Sequence, residues 1–312
     1  MSYKKVGSLF LTEKGKTVSL WFMGSIGVGA FCAQYIPHTL LINKYVDVIH
    51  LYKNGIAVTL NSKLVERFNK ALVYADVPDQ DVKLYKPFAI FGFDISHVGM
   101  SFSKYGCQVG IPVNFNYVSA DTVDKSTIKI KGESVAWSTD EAEQFLDSVV
   151  LSENAQIYAM AREIKMSQTF KLIVDAICGP LSVFVAYGSS VFLNGKFNLY
   201  PKPMGVRLVM YALVGTFTFG NYLFIKDFNQ LYYESYVDKE LKAKDPRLVE
   251  GAKEFYEKIL RRNQALRTLM GSEGEDFYTV HGNENYSFRQ RHLPLVQRLD
   301  FFKEKAQTEE LN

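Results

Sequence analysis

Long apolar runs dominate the hydrophobic pattern of this chain. Residues 176–195 carry no formal charge, nor do residues 208–225. A short polar turn bearing Lys196, Pro201, Lys202, Pro203 and Arg207 joins the two. At about 1.5 Å per helical residue, both runs approach the ~30 Å of a bilayer core, the second with snorkelling by Arg207 and Lys226. Two buried helices of a large soluble domain are the competing reading. Two uncharged runs with so short a connection favour a transmembrane hairpin, with helices over 172–195 and 208–225 and a basic turn at 196–207.

A third uncharged run, 17–37, follows a basic segment (1–16) in which Lys4, Lys5, Lys14 and Lys16 face only Glu13. A secretory signal peptide is its rival, but the run is long for one and no small-x-small site closes it. The pattern predicts an uncleaved first span, with Gly24, Gly27 and Gly29 offering a face for close helix packing.

A hairpin returns the chain to the side it left, so residues 44–171 and 226–312 can fold as one extramembrane domain. In the first part, residues 43–70 read as helical with an interruption at Asn54-Gly55. Residues 86–95, 107–118 and 127–132 read as short strands, and Pro112 points to an edge or bulged position. Helical signals then take over: the spacing Ser138 to Glu141 is that of a capping box, and Ser152-Glu153 opens a segment with Ile157, Met160, Ala161 and Ile164 on one side. Beyond the hairpin, a helix over 226–245 ends at Asp245-Pro246, and a second runs from 247 to 270 and is closed by Gly271. A polar, turn-rich stretch follows, and a last helix has Pro294 in its first turn. The fold class expected is an α+β membrane protein with about three transmembrane helices.

Charge adds a topology. The first sixteen residues and the hairpin turn are basic, whereas 44–171 and 226–312 are nearly balanced and slightly acidic. The positive-inside rule then puts the N-terminus and turn on the matrix or cytoplasmic side and both long segments opposite. A net charge of +3 in 312 residues gives no case for a nucleic-acid partner. The three cysteines, Cys32, Cys107 and Cys178, form no CxxC, and the five histidines include no pair four residues apart. Nucleotide-binding and serine-hydrolase motifs are absent, and no cofactor is expected.

Several segments resemble the transmembrane protein 177 family: 85–94 (YKPFAIFGFD), 109–117 (VGIPVNFNY), 151–164 (LSENAQIYAMAREI), 254–278 and Arg291–Pro294, besides the hairpin and the length. The resemblance implies a multi-pass protein of the mitochondrial inner membrane acting early in maturation of cytochrome c oxidase subunit II. The partners it implies are that new subunit and its membrane-bound assembly chaperone, besides the lipid bilayer. With the charge bias, the extramembrane domain is expected on the intermembrane-space side.

A remoter resemblance is to HtpX-like membrane zinc peptidases. These place an HExxH helix before a membrane hairpin, a glutamate ligand with an aspartate four residues on after it, and a late His-Pro. Here the order is Arg162-Glu163-Ile164-Lys165-Met166, then the hairpin, Glu234 with Asp238, and His292 followed by Pro294. Glu163 matches the general base and Glu234 the third ligand, while Arg162 and Met166 replace both histidines. A guanidinium and a thioether cannot supply the donors that zinc needs. The resemblance therefore implies a degenerate, zincin-like extramembrane domain interrupted by the hairpin, a pseudopeptidase in which Arg162 pairs with a carboxylate such as Glu234.

Within the second span, Asp175 stands four residues after Lys171 near the interface, where water or Lys171 can satisfy it. Cys178-Gly179-Pro180 is expected to kink or locally open that helix. The readings left open are an assembly protein holding a hydrophobic client, an active membrane peptidase or a scaffold with another client, and a transport component.

Overall fold

The computed structural model describes residues 12–126, 128–130 and 132–304. Lys4 and Lys5 of the basic segment, and Thr127 and Lys131 of the expected strand 127–132, lie outside the described residues. The helices are α1 (Glu13–Tyr35), α2 (Ile42–Ile49), α3 (Ser62–Tyr74), α4 (Asp140–Ser148), α5 (Glu153–Ser167), α6 (Lys171–Lys196), α7 (Met204–Lys242), α8 (Pro246–Leu269), α9 (Ser272–Phe277) and α10 (Leu295–Lys303). The strands are β1 (Tyr52–Lys53), β2 (Ile56–Ala57), β3 (Tyr85–Ile90), β4 (Ser96–Gly99), β5 (Cys107–Pro112), β6 (Lys129–Ile130) and β7 (Glu133–Ser134). The protein is mostly helical. Among the described residues, α1, α6 and α7 are long and apolar enough to cross a membrane. The chain divides into two compact units, one holding α1, α6 and α7 to Gln230, the other holding Thr39–Thr169 and the chain from Leu231 onward.

In the first unit, small residues set the distance between α1 and α6. A Cβ on Gly27 would stand 3.4 Å from the Phe184 ring, and one on Gly179 would stand 3.3 Å from Ala30 Cβ. Nothing lies within 4 Å of the corresponding positions on Gly24 and Gly29, so of these three glycines only Gly27 packs against α6. The local opening expected at Cys178-Gly179-Pro180 is absent, since α6 runs through Pro180 unbroken. One missing N–H is tolerable where a neighbouring helix presses on the same turn.

Polar contacts stitch α6 to α7 in antiparallel register. Asn229 Nδ2 donates to Asp175 Oδ1 (2.8 Å), Ser182 Oγ to the Thr218 carbonyl (3.3 Å), and Asn194 Nδ2 to Tyr211 Oη (2.8 Å). The apolar side chains of the three helices, Trp21, Phe192, Leu213 and Phe217 among them, point outward. Such a surface suits hydrocarbon, and a helix satisfies most of its backbone groups within its own segment.

In the second unit, β5 is the middle strand of a three-stranded sheet, parallel to β3 and antiparallel to β4. Ile42 and Val46 of α2 cover one face through Phe88, Ile90 and Val98. Leu64 and Phe68 of α3, with Tyr158 and Ile164 of α5, belong to the larger core, which takes in Val109 and Ile111 of the sheet.

Helix α5 is buried around most of its circumference, which alanines at 155, 159 and 161 permit. Helix α8 crosses it at Gly251, where a Cβ would meet the Asn154 carbonyl oxygen at 2.3 Å. Ser152 caps α5 through the Ala155 N–H, and Glu254 of α8 accepts from both the Ser152 N–H and its hydroxyl.

Several expectations need correction. The interruption at Asn54-Gly55 is a β-hairpin joining β1 to β2; both turn residues have positive φ, as a type I′ turn requires. Pro112 is on the central strand rather than an edge; it ends β5, where the chain turns into a 3-10 helix at Val113–Asn116 and one missing ladder donor costs little. Thr139, not Ser138, caps α4, by accepting from the Ala142 N–H, so no capping box forms there. Helix α7 continues unbroken for 39 residues through Lys226 and Asp227, because charges end an apolar run without ending a helix. The polar stretch after Gly271 contains α9.

Candidate functional site: a buried charge cluster

The second unit encloses a polar centre built from five elements. Helix α5 presents Tyr158 and Arg162 one turn apart, with Glu163 beside them. Arg162 donates from Nε and Nη2 to Glu163 Oε1 at 3.1 and 2.6 Å. His97 of β4 holds the other carboxylate oxygen, with Nδ1 2.7 Å from Glu163 Oε2. A carboxylate can only accept, so this nitrogen carries the proton. The guanidinium of Arg162 also lies 5.6 Å from the centre of the Phe255 ring, a cation–π distance.

On α7, Glu234 and Asp238 share a face one turn apart. Glu234 accepts from His292 Nδ1 (2.6 Å) and the Leu293 N–H (2.8 Å). Asp238 takes both arms of Arg298 from α10, Nε at 2.7 Å and Nη2 at 2.8 Å, in a bidentate pair. Tyr158 Oη donates to Asp238 Oδ1 at 2.8 Å, and Tyr256 Oη of α8 reaches the same oxygen at 3.1 Å. Arg298 Nη1 stands 3.8 Å from Glu234, and its guanidinium lies over the Tyr256 ring at 4.7 Å. Glu163, Glu234, Asp238 and Arg298 are all buried.

Three carboxylates thus share two fixed cations and two imidazoles. Burial pushes the Glu163 carboxyl up; the Arg162 charge and the His97 hydrogen bond overcome it and hold Glu163 at about 2. Glu234 is balanced in the same way: burial opposes the His292 hydrogen bond and the Arg298 charge, and the carboxyl also lies at about 2. Burial works against the Arg162 cation, but Glu163 outweighs it and its pKa is raised. Both carboxylates are weak bases here, with their oxygens occupied, which suits ion pairing and not proton abstraction.

The expected pairing of Arg162 with Glu234 is therefore corrected. Arg162 turns to Glu163, its neighbour in sequence, and Glu234 is taken by His292 and Arg298. Met166, next on the α5 face, lies in the apolar core. Among the described residues, no group of three or more His, Cys, Asp or Glu side chains could hold a metal ion. Three members of the cluster, Tyr158, Tyr256 and Arg298, went unnoticed in the sequence, and His97 stood only as one of five scattered histidines. Tyr158 could have been found from its place one turn before Arg162, and Arg298 from its place one turn after Pro294.

In the first unit, Asp175 is buried and accepts from Lys171 Nζ (2.8 Å) on its own helix and from Asn229 on α7. Pro180 packs against Gly27, where an added Cβ would stand 3.7 Å from the Pro180 Cα and Cβ.

Three apolar helices and a separate unit that encloses charged side chains define a multi-pass membrane protein. Within that class, the profile of the Transmembrane protein 177 family matches residues 95–312, and the chain belongs to that family. It is 30% identical over 280 residues to Transmembrane protein 177 of Xenopus laevis, covering 88% of this chain and 90% of the relative. Against that of Homo sapiens, identity is 30% over 270 residues and 85% of each chain. No solved structure matches.

Proposed function

We propose that the protein is a non-enzymatic stabilising factor for a newly made membrane protein. By family resemblance the client is cytochrome c oxidase subunit II together with its membrane-bound assembly chaperone. The setting is the mitochondrial inner membrane, with the second unit on the intermembrane-space side, as the basic hairpin turn favours. The observation that carries the reading is the state of Glu163. The residue that matches a zinc peptidase's general base is locked between Arg162 and His97, and a guanidinium stands beside it where such an enzyme would need a cation site. The cluster is then a pseudopeptidase remnant, an ion-pair knot in place of a metal bridge, within a degenerate zincin-like domain. The outward apolar faces of the hairpin are the surface for the client.

Site-specific photo-crosslinkers at Phe192, Leu213 and Phe217 in intact mitochondria are expected to capture newly synthesised subunit II. Absence of that adduct from all three positions overturns the client assignment. Stoichiometric zinc in the purified protein, or proteolysis abolished by Glu163→Gln, overturns the non-enzymatic reading.

A further inference from the structure

The basic residues of the hairpin turn and of the start of α1 are separated by nearly 200 positions, but the first unit brings them together. Gly27 of α1 packs on Pro180 and Phe184, and Ala30 on Gly179, so α1 and α6 run antiparallel. Eleven residues back along α1 from Gly27 is Lys16; eleven onward from Phe184 is Gly195. At equal rise per residue, Lys16 is level with the turn. It is within electrostatic reach of the Tyr200 phenol in that turn.

One end of the unit thus gathers Lys14, Lys16, Lys196, Lys202 and Arg207, against the single carboxylate of Glu13, which Lys16 engages at 2.7 Å. Lys196 is exposed and rests against the Phe192 and Phe197 rings, its Nζ 5.7 and 5.8 Å from their centres. Arg207 is half-buried, and its enclosed Nε has no acceptor. At the same end, Asn194 is buried with its amide oxygen unpartnered, while its Nδ2 donates to Tyr211, one turn along α7 from Arg207. The neighbouring surface is apolar: Phe192, Leu208 and Val209 are exposed.

We propose that this end of the hairpin unit is a binding site for the phosphate headgroup of an anionic phospholipid. Arg207 and Lys196 hold the phosphate, Lys202 and Lys16 add charge, and the acyl chains lie along Phe192 and Leu208. Three features favour a lipid. The charge is of one sign and largely unneutralised, as an anionic headgroup requires. The terminal nitrogens of the Arg207 guanidinium are not enclosed as Nε is, and their charge can meet phosphate oxygens from outside the unit. The cations also sit at the polar end of helices whose flanks are already apolar, so one amphiphile satisfies both surfaces.

The test is native mass spectrometry of the full-length protein in detergent micelles doped with phosphatidylglycerol, phosphatidylcholine or inorganic phosphate. Retention of phosphatidylglycerol in preference to phosphatidylcholine is expected, undiminished by inorganic phosphate. Arg207→Gln and Lys196→Gln should each weaken retention about fivefold, and Lys63→Gln in the other unit should leave it unchanged. Arg207→Lys should retain the lipid, which separates loss of charge from loss of fold. Equal retention of both lipids overturns the proposal, as does unchanged retention in Arg207→Gln/Lys196→Gln. Displacement by inorganic phosphate at equal concentration assigns the site to a free anion and overturns the lipid.

Discussion

In the hairpin unit, the buried carboxylate of Asp175 has one cation a turn away on its own helix and one amide on the neighbouring span. In the other unit, Glu163, Glu234 and Asp238 draw on two guanidiniums, two imidazoles and two phenols from β4, α5, α8, the segment before α10 and α10 itself. The first arrangement is local and could form in an isolated helical hairpin. The second exists only once elements distant in sequence have met, so each member is desolvated on behalf of the others. Removing a member of the cluster should therefore cost far more than removing one from the spans, although both are buried acids with basic partners.

The comparison is sharpest at Arg298. Arg298→Met strips Asp238 of both guanidinium bonds at a site where both residues are buried. Breaking a buried pair from one side costs about 3–5 kcal/mol. Equilibrium denaturation of the detergent-solubilised protein, followed by tyrosine fluorescence, should show a loss of that size. Adding Asp238→Leu should restore part of it, because two well-packed apolar residues replace an orphaned charge. A loss under about 1 kcal/mol would mean that the cluster behaves like a surface pair, and the contrast with the spans would disappear.

Acid offers a second probe, somewhat smaller for each residue. Glu163 and Glu234 are held at about 2 against an ordinary value of 4.5. Their folded-state pKa is depressed, so their contribution is present in full above 4.5 and is lost as pH falls toward 2. Each shift corresponds to about 3 kcal/mol. The second unit should thus lose stability steeply across that window. Glu163→Gln, already less stable at neutral pH, should lose less on further acidification. An equally steep acid transition in Glu163→Gln would show that the proton uptake belongs to other groups.

What the sequence allowed a reader to see follows the same division between local and non-local. The spans were legible because freedom from charge over some twenty residues is a local property. So was the proximity of Lys171 to Asp175, four positions apart on one helix. The apolar run over 208–225 and the helix expected over 226–245 were legible separately, but not that they form one unbroken helix, α7, to Lys242. Strand β4 was invisible: four residues, Ser96 to Gly99, are too few to show alternation, and with it went His97. The cluster was half legible. Glu163, Glu234 and Asp238 were picked out by the resemblance to membrane zinc peptidases, but their partners depend on how α8 and α10 pack. Arg162 was sent to a distant acid when the adjacent one had both the reach and the need.

The mildest change tests the other side of the comparison. Asp175→Asn keeps an oxygen to accept from Asn229 and removes only the charge facing Lys171. Lys171 is the first residue of α6, and its long stem can carry the ammonium to water once the carboxylate is gone. Polar contacts between membrane helices average about 0.6 kcal/mol, because helices separated in a bilayer find other partners. The variant should therefore lose no more than about 1 kcal/mol in a detergent-unfolding titration. The antiparallel register marked by Ser182 and Thr218 should survive, read out by an engineered cysteine pair at those positions that still crosslinks. A loss matching that of Arg298→Met would make Asp175 a keystone of its own unit, and the hairpin would then depend on buried charge as much as the cluster does.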